Sequence, residues 1–186
     1  MTTPAPTVTQ SQVQAALRSF LISVIPSNWE VIQGQDSRVS EPQNPDFVVM
    51  TVTGRRRLET NGYVYTPPPG TTLVAGSETV TQAFEVSFQL DFHSATVGDG
   101  SDAAVMVSTL FRDDIAYQAF AASNLPITPL YADDPKQVPF VNAEQQYETR
   151  WVLDAVLQVN AGVVWSTQFM IGAPSVTIQP PADAAH

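Results

Sequence analysis

Apolar residues near the start of the chain recur every three or four positions, as one buried face of a helix requires. This spacing predicts an amphipathic helix over residues 11–24, with Ser11 as its N-cap and Pro26 beyond its end. The same spacing, introduced by Ser101 or Asp102, predicts a second helix that ends near residue 122. Two helices are therefore expected, separated by a long stretch of different pattern.

Strand patterns occupy much of the remaining chain. Apolar and polar residues alternate over 80–92 and 147–160, which predicts two long strands that each bury one face. The nearly continuous apolar run at 47–53 predicts a strand buried on both faces, and 29–33 a short strand. Residues 163–178 are predicted to form a hairpin partner of the last strand. The order of these elements predicts an α+β fold in which a mostly antiparallel sheet packs against two helices.

The length of 186 residues fits one domain. Prolines among small residues predict a flexible N-terminal arm at 1–10 and a C-terminal tail at 180–186, which leaves a single domain at 11–179. An Asn-Gly pair, three consecutive prolines and further glycines predict an exposed excursion at 61–76, partly in the polyproline II conformation.

The charge balance limits the classes of partner. With 18 acidic and 8 basic side chains the chain carries a net charge of −10, which argues against stable binding to DNA, RNA or an anionic membrane. No apolar run approaches the roughly 18 residues that a membrane span needs, so no membrane contact is expected. The absence of cysteine excludes disulfides, thiol nucleophiles and cysteine metal sites. Uncharged polar residues must fill the surface, which favours large protein neighbours.

His93 is the first candidate for catalysis or metal binding. One alternative function is a metal-dependent hydrolase that uses His93, Asp91 and a distant carboxylate. Against a site stands the position of His93 at the end of a predicted strand, with Asp91 on the same face. A metal site also needs three or four ligands, and His186, the other histidine, lies in the tail. We therefore expect a structural or exposed His93, with no catalytic, cofactor-binding or metal-binding residue.

Three consecutive arginines, Arg55, Arg56 and Arg57, follow the predicted strand at 47–53. Alternation along an extended chain places two of them on one face and one on the other. Two interpretations stay open: an exposed strand end that keeps the protein soluble, or a surface that faces another subunit or DNA.

Three stretches of the chain, at 20–51, 109–121 and 129–160, resemble the neck or tail terminator proteins of tailed bacteriophages. The most specific is the last, in which PLYADDP is followed by NAEQQYE and by Arg-Trp before a long strand. The resemblance fades in both terminal tails, in the proline-rich excursion and after Asn160.

The resemblance implies a tail-terminator-like α+β fold and a structural virion protein without catalysis or cofactor. Such proteins form a homo-oligomeric ring, usually of six subunits, on the head-proximal end of the tail tube. The ring stops tube growth and docks to the head connector or stopper, with sheath or collar proteins as further neighbours. Double-stranded DNA is then only cargo in the lumen, and the protein resides in the virion neck after assembly in the cytoplasm of the bacterial host.

A ring requires two different patches on each subunit, and two long polar segments, 33–45 and 124–146, are able to supply them. The excursion at 61–76 and the N-terminal arm are expected to dock onto adjacent neck or sheath proteins. Subunit or partner contacts are expected at or near Arg38, Glu41, Arg55, Arg56, Arg57, Tyr131, Asp133, Asp134, Glu144, Gln145 and Arg150.

An accessory carbohydrate-binding or adhesin-like module is the alternative class. It would present exposed aromatic rings as a platform. The three tryptophans, Trp29, Trp151 and Trp165, lie in strand patterns that predict burial in the core.

Overall fold

The computed structural model describes residues 4–34, 42–67, 76–96, 98–141 and 147–166. Within these residues there are three helices, α1 (Gln10–Val24), α2 (Asp99–Phe111) and α3 (Asp114–Ala121). The strands of the same residues are β1 (Ala5–Pro6), β2 (Glu30–Gln33), β3 (Phe47–Arg57), β4 (Gly62–Thr66), β5 (Ser77–Ser94), β6 (Ile127–Ala132), β7 (Lys136–Gln137), β8 (Phe140–Val141) and β9 (Tyr147–Ser166).

The long antiparallel pair of β5 and β9 forms the centre of the sheet. Its register runs without interruption from Ser77 opposite Ser166 to Ser94 opposite Thr149. Strands β3 and β4 pair antiparallel with the edge of β5 that faces away from β9, and β2 pairs in parallel with β3. On the free edge of β9, β8, β7, β6 and β1 pair one after another, all antiparallel. The predicted α+β class with a mostly antiparallel sheet is confirmed.

The helices pack on one face of this sheet, and the core lies between the helical layer and the sheet. Alternate residues of the central strands, among them Phe88 and Leu157, are fully buried against the helices because successive side chains of a strand point to opposite faces. Each helix contributes one phenylalanine to a buried cluster. The ring centroids of Phe20, Phe111 and Phe120 lie 5.6–6.1 Å apart.

Helix α1 begins one residue earlier than its predicted cap. Thr9, not Ser11, is the N-cap, and its side chain and that of Gln12 form a reciprocal capping box. Val8 before the cap is buried, and Thr7 exchanges hydrogen bonds with Gly162 of β9. Residues 4–9, expected to be a poorly ordered arm, therefore lie against the edge of the sheet.

The predicted second helix over 101–122 is wrong in one respect, since it is two helices. Between them Asp113 adopts an extended conformation, with φ −104° and ψ 166°, and its carboxylate accepts from the Ile115 N–H. An aspartate at this place ends one helix and caps the next. Helix α2 starts at Asp99, after Gly98, and not at a cap formed by Ser101 or Asp102.

Other predicted boundaries also change. Residues 163–166 continue β9 instead of opening a hairpin partner, and 167–178 lie outside the described residues. The polar segment predicted at 124–146 contains, within its described residues, three short strands that pair with β9. Of the excursion at 61–76, residues 62–66 form β4, and residues 68–75, which carry most of the predicted polyproline II stretch, lie outside the described residues.

Candidate interaction surfaces

The sheet extends beyond the helices as a projection, which we call the tip and define as residues 62–66, 77–81 and 162–166 of β4, β5 and β9. On the other edge of β9, β1 pairs with the tip, with Ala5 opposite Val164 and Pro6 opposite Val163. Trp165 pairs with Glu78, which pairs with Tyr65, and Val163, Val80 and Tyr63 form the next row across the same strands. Every second residue of a strand points to the same face, and Val80 and Glu78 are separated from buried Val86 by even numbers of positions. Both rows therefore lie on the face that carries the helices.

The apolar side chains of the tip are exposed. Tyr63 is 66% and Trp165 50% exposed, although Trp165 was predicted to lie in the core. Val64 and Val164 are exposed on the opposite face of the same strands. The prediction for Trp165 fails because no described helix reaches this part of the sheet, so alternation alone could not decide its burial.

A groove of about 290 Å³ lies at the root of the tip, and Arg55 and Arg57 contribute to its wall. The Arg55 guanidinium lies over the Phe84 ring, 5.2 Å from its centroid, and donates to the Gln10 side-chain oxygen at 3.3 Å. Neither arginine forms an ion pair with a carboxylate of the described residues. The Gln82 Nε2, also in this groove, is buried and has no hydrogen-bond partner within the described chain.

Arg56 points to the other face of the sheet, where it forms an ion pair of 2.7 Å with Glu85. The three arginines are thus divided two to one, as alternation along the strand requires. A bulge between Val52 and Gly54 sets which two face the groove, because one extra residue reverses the facing of every residue after it.

The opposite end of β3 is acidic. Asp46, Asp99 and Asp102 line a pocket of about 360 Å³ together with Trp29 and Met106. Asp46 accepts hydrogen bonds from the Ser94 hydroxyl at 2.8 Å and from the Ala95 N–H at 3.2 Å. Since the strand rises about 3.3 Å per residue, the acidic pocket and the arginine groove lie about 35 Å apart.

A second group of predicted contact residues lies beside the junction of α2 and α3. Tyr131, Asp133 and Asp134 are exposed, and the carboxylates of the two aspartates form no ion pair with a described residue. Arg112 donates from Nε to the Ala132 carbonyl at 2.8 Å, which holds this segment against the helices. The Asp133 N–H donates to the Asp154 carbonyl at 2.8 Å.

Arg150 is engaged within its own subunit. Its guanidinium contacts the Asp91 carboxylate at 2.7 Å on the face opposite to the helices, and the Gln89 amide donates to both oxygens of that carboxylate at 3.0 Å. His93, on the same face, stacks on Phe47 with ring centroids 4.6 Å apart. Asp91 is thus held by charge and hydrogen bonds within the fold.

The hydrolase alternative gains no support from these contacts. Among the residues that the structure describes, no group of three or more His, Cys, Asp or Glu is placed to hold a metal ion. Four of the predicted contact residues, Arg38, Glu41, Glu144 and Gln145, lie outside the described residues.

The helices of the described chain are each too short or too polar to cross a membrane. The described surface thus carries an exposed apolar tip and two patches of opposite charge, features typical of contacts with other proteins. A family model for phage neck terminator proteins matches residues 11–180, and the chain belongs to this family. Among curated proteins no match was found. The family makes this chain a structural protein of the phage neck, a virion component that contacts other head and tail proteins.

Proposed function

We propose that the protein forms a ring of six subunits on the head-proximal end of the tail tube, with residues 11–179 as its domain. The ring stops growth of the tube, docks to the head connector or stopper and lets the double-stranded genome pass through its lumen. Sheath or collar proteins are further neighbours, and assembly takes place in the cytoplasm of the bacterial host.

The family match carries this proposal, because it extends over all three described helices and over β2 to β9. The charge distribution supports a ring. A closed ring is built from heterologous contacts, in which each subunit uses two different patches, and this subunit has an arginine groove at one end of β3 and an acidic pocket at the other.

The net charge of −10 supports the role of the lumen. A protein surface that neutralises few phosphates releases few counterions and so holds DNA weakly. A genome that must move through the ring as it leaves the head needs such a surface.

For the remaining predicted contacts we propose two roles. Tyr131, Asp133 and Asp134 face a neighbouring subunit or the connector, together with Arg38, Glu41, Glu144 and Gln145. Arg150 stabilises the fold of its own subunit and does not contact a neighbour directly, since its guanidinium is already paired with Asp91.

Phage particles that lack the protein test the proposal. Without a terminator we expect tail tubes of uncontrolled length that remain separate from filled heads, and expression of the protein from a plasmid restores joined particles. Tails of normal length attached to heads in its absence would contradict the proposal.

One observation favours the carbohydrate-binding alternative: Tyr63, Tyr65 and Trp165 share one exposed face. If these rings stack on sugars, calorimetry should detect glycan binding by the wild-type protein, and a Trp165→Ser variant should lose that binding. As a terminator, the protein should bind no glycan, and its tip should contact protein instead.

A further inference from the structure

We propose that the tip and the arginine groove form one half of the contact between adjacent copies of this chain, and that the acidic pocket of the next copy forms the other half. This inference rests on the proposed ring and names the surfaces that build it.

The tip has the composition of an interface. Tyr63, Tyr65 and Trp165 extend from one face of the paired strands of the tip. Each of the three side chains is at least half exposed. Contiguous exposed apolar surface of this kind marks a contact with another protein, and aromatic residues are enriched at such contacts. The same strands carry Val64 and Val164 on the other face, so a partner can enclose the tip from both sides.

Charge complementarity selects the occupant. Arg55 and Arg57 face the groove without a carboxylate partner among the described residues, in a chain that has 18 acidic side chains. An arginine buried at a contact needs a carboxylate opposite it, because an unpaired buried charge is costly. The partner must therefore bring acidic groups to the groove.

A second copy of the chain brings such groups in a suitable setting. Asp99 and Asp102 are exposed on the first turn of α2, beside Trp29 and Met106, so the pocket offers both carboxylates and apolar surface. The two patches lie at opposite ends of β3 and differ in charge, so head-to-tail contacts join each copy to two neighbours, one through each patch. A chain of copies joined in this way closes as a ring if the rotation between them allows it.

Charge reversal at each patch tests the contact, with Arg57→Asp as one variant and Asp102→Arg as the other. Each variant alone places one charge of the wrong sign in every contact, and we expect its self-association, measured by mass photometry with and without tail tubes, to weaken at least about tenfold. In an equal mixture an alternating ring sets the altered groove opposite the altered pocket and the native groove opposite the native pocket, so association should return to near the wild-type level. Thermal unfolding of each variant shows that its fold is intact.

Arg56→Gln is the matched control for Arg57→Gln, because Arg56 points to the opposite face of the same strand. Of these two variants, only Arg57→Gln should weaken self-association. A higher salt concentration should weaken self-association of the wild-type protein, because salt screens the attraction between the two patches. Single reversals that associate like the wild type would overturn the inference, as would a mixture that stays dissociated.

These failures are distinguishable from failure of the proposed function. If Arg57→Asp subunits still cap tubes as rings, the function stands and the contact lies elsewhere. If the wild-type protein neither forms a ring nor binds the tube, the function itself is wrong. Binding of the tip to tube protein, DNA or a glycan instead of to another copy also overturns the inference.

Discussion

The guanidinium of Arg150 lies 2.7 Å from the carboxylate of Asp91, on the face of the sheet opposite to the helices. The Asp91 side chain is 8% exposed and that of Arg150 26%, so the pair is largely withdrawn from water. A carboxylate in this position depends on its partner, because its hydration is already lost.

Removal of this partner should destabilise the fold. We expect Arg150→Ala to lower the free energy of unfolding by about 3 kcal/mol, measured by urea denaturation. Arg57→Ala is the control, since Arg57 is exposed and forms no ion pair with a carboxylate of the described residues, and its loss should cost less than about 1 kcal/mol. Equal losses in the two variants would show that burial of Asp91 has no special consequence.

The phenylalanine cluster should dominate the stability of the helical layer. Phe120→Ala removes a ring that packs on both Phe20 and Phe111, and should cost about 4 kcal/mol through lost burial and the cavity left behind. Tyr117→Ala, on the exposed side of the same helix, should change stability by less than about 1 kcal/mol. Thermal unfolding of both variants checks this, and similar melting temperatures would refute the cluster's role.

The break between α2 and α3 depends on a cap. Asp113→Ala leaves the Ile115 N–H without its acceptor and should cost about 1 kcal/mol, measured by denaturant unfolding. Asp113→Asn keeps a side-chain oxygen at the same place and should retain most of the stability. A large loss in the asparagine variant would mean that charge, and not the hydrogen bond, holds the junction.

Two glycines should respond differently to a methyl group. Gly98 has φ +110°, a conformation that other residues adopt only with strain, so Gly98→Ala should cost about 1–2 kcal/mol. At Gly54 an added Cβ meets nothing within 4 Å, and Gly54→Ala should be near neutral. The difference in melting temperature between the variants measures this, and equal values would contradict it.

The elements that the sequence predicted well are those with a strong local period. The strand at 80–92 has five alternating apolar residues, and the structure extends it to Ser77–Ser94. Helix α1 was placed within one residue at its start because its apolar face and Pro26 bound it on both sides.

The errors arise where tertiary contacts decide. The apolar period continues across Arg112 and Asp113, because Phe111, Ala116 and Phe120 of two separate helices face the same core. Only the carboxylate of Asp113, a favoured cap, signalled the break.

The tip could not be predicted, because burial there depends on where the helices end. Tyr63, Val64 and Tyr65 show no alternation that would assign a face, and Trp165 follows an apolar run typical of a core strand. The partner of Arg150 is separated from it by 59 positions in sequence, so the ion pair appears only once β5 and β9 are paired.

Cryo-electron microscopy of the neck in the intact particle tests the central claim most directly. We expect six copies of this chain in a ring at the head-proximal end of the tail tube, with the tip of each copy against the acidic pocket of the next. A neck that lacks this chain at the end of the tube, or copies there that do not touch one another, would contradict the claim.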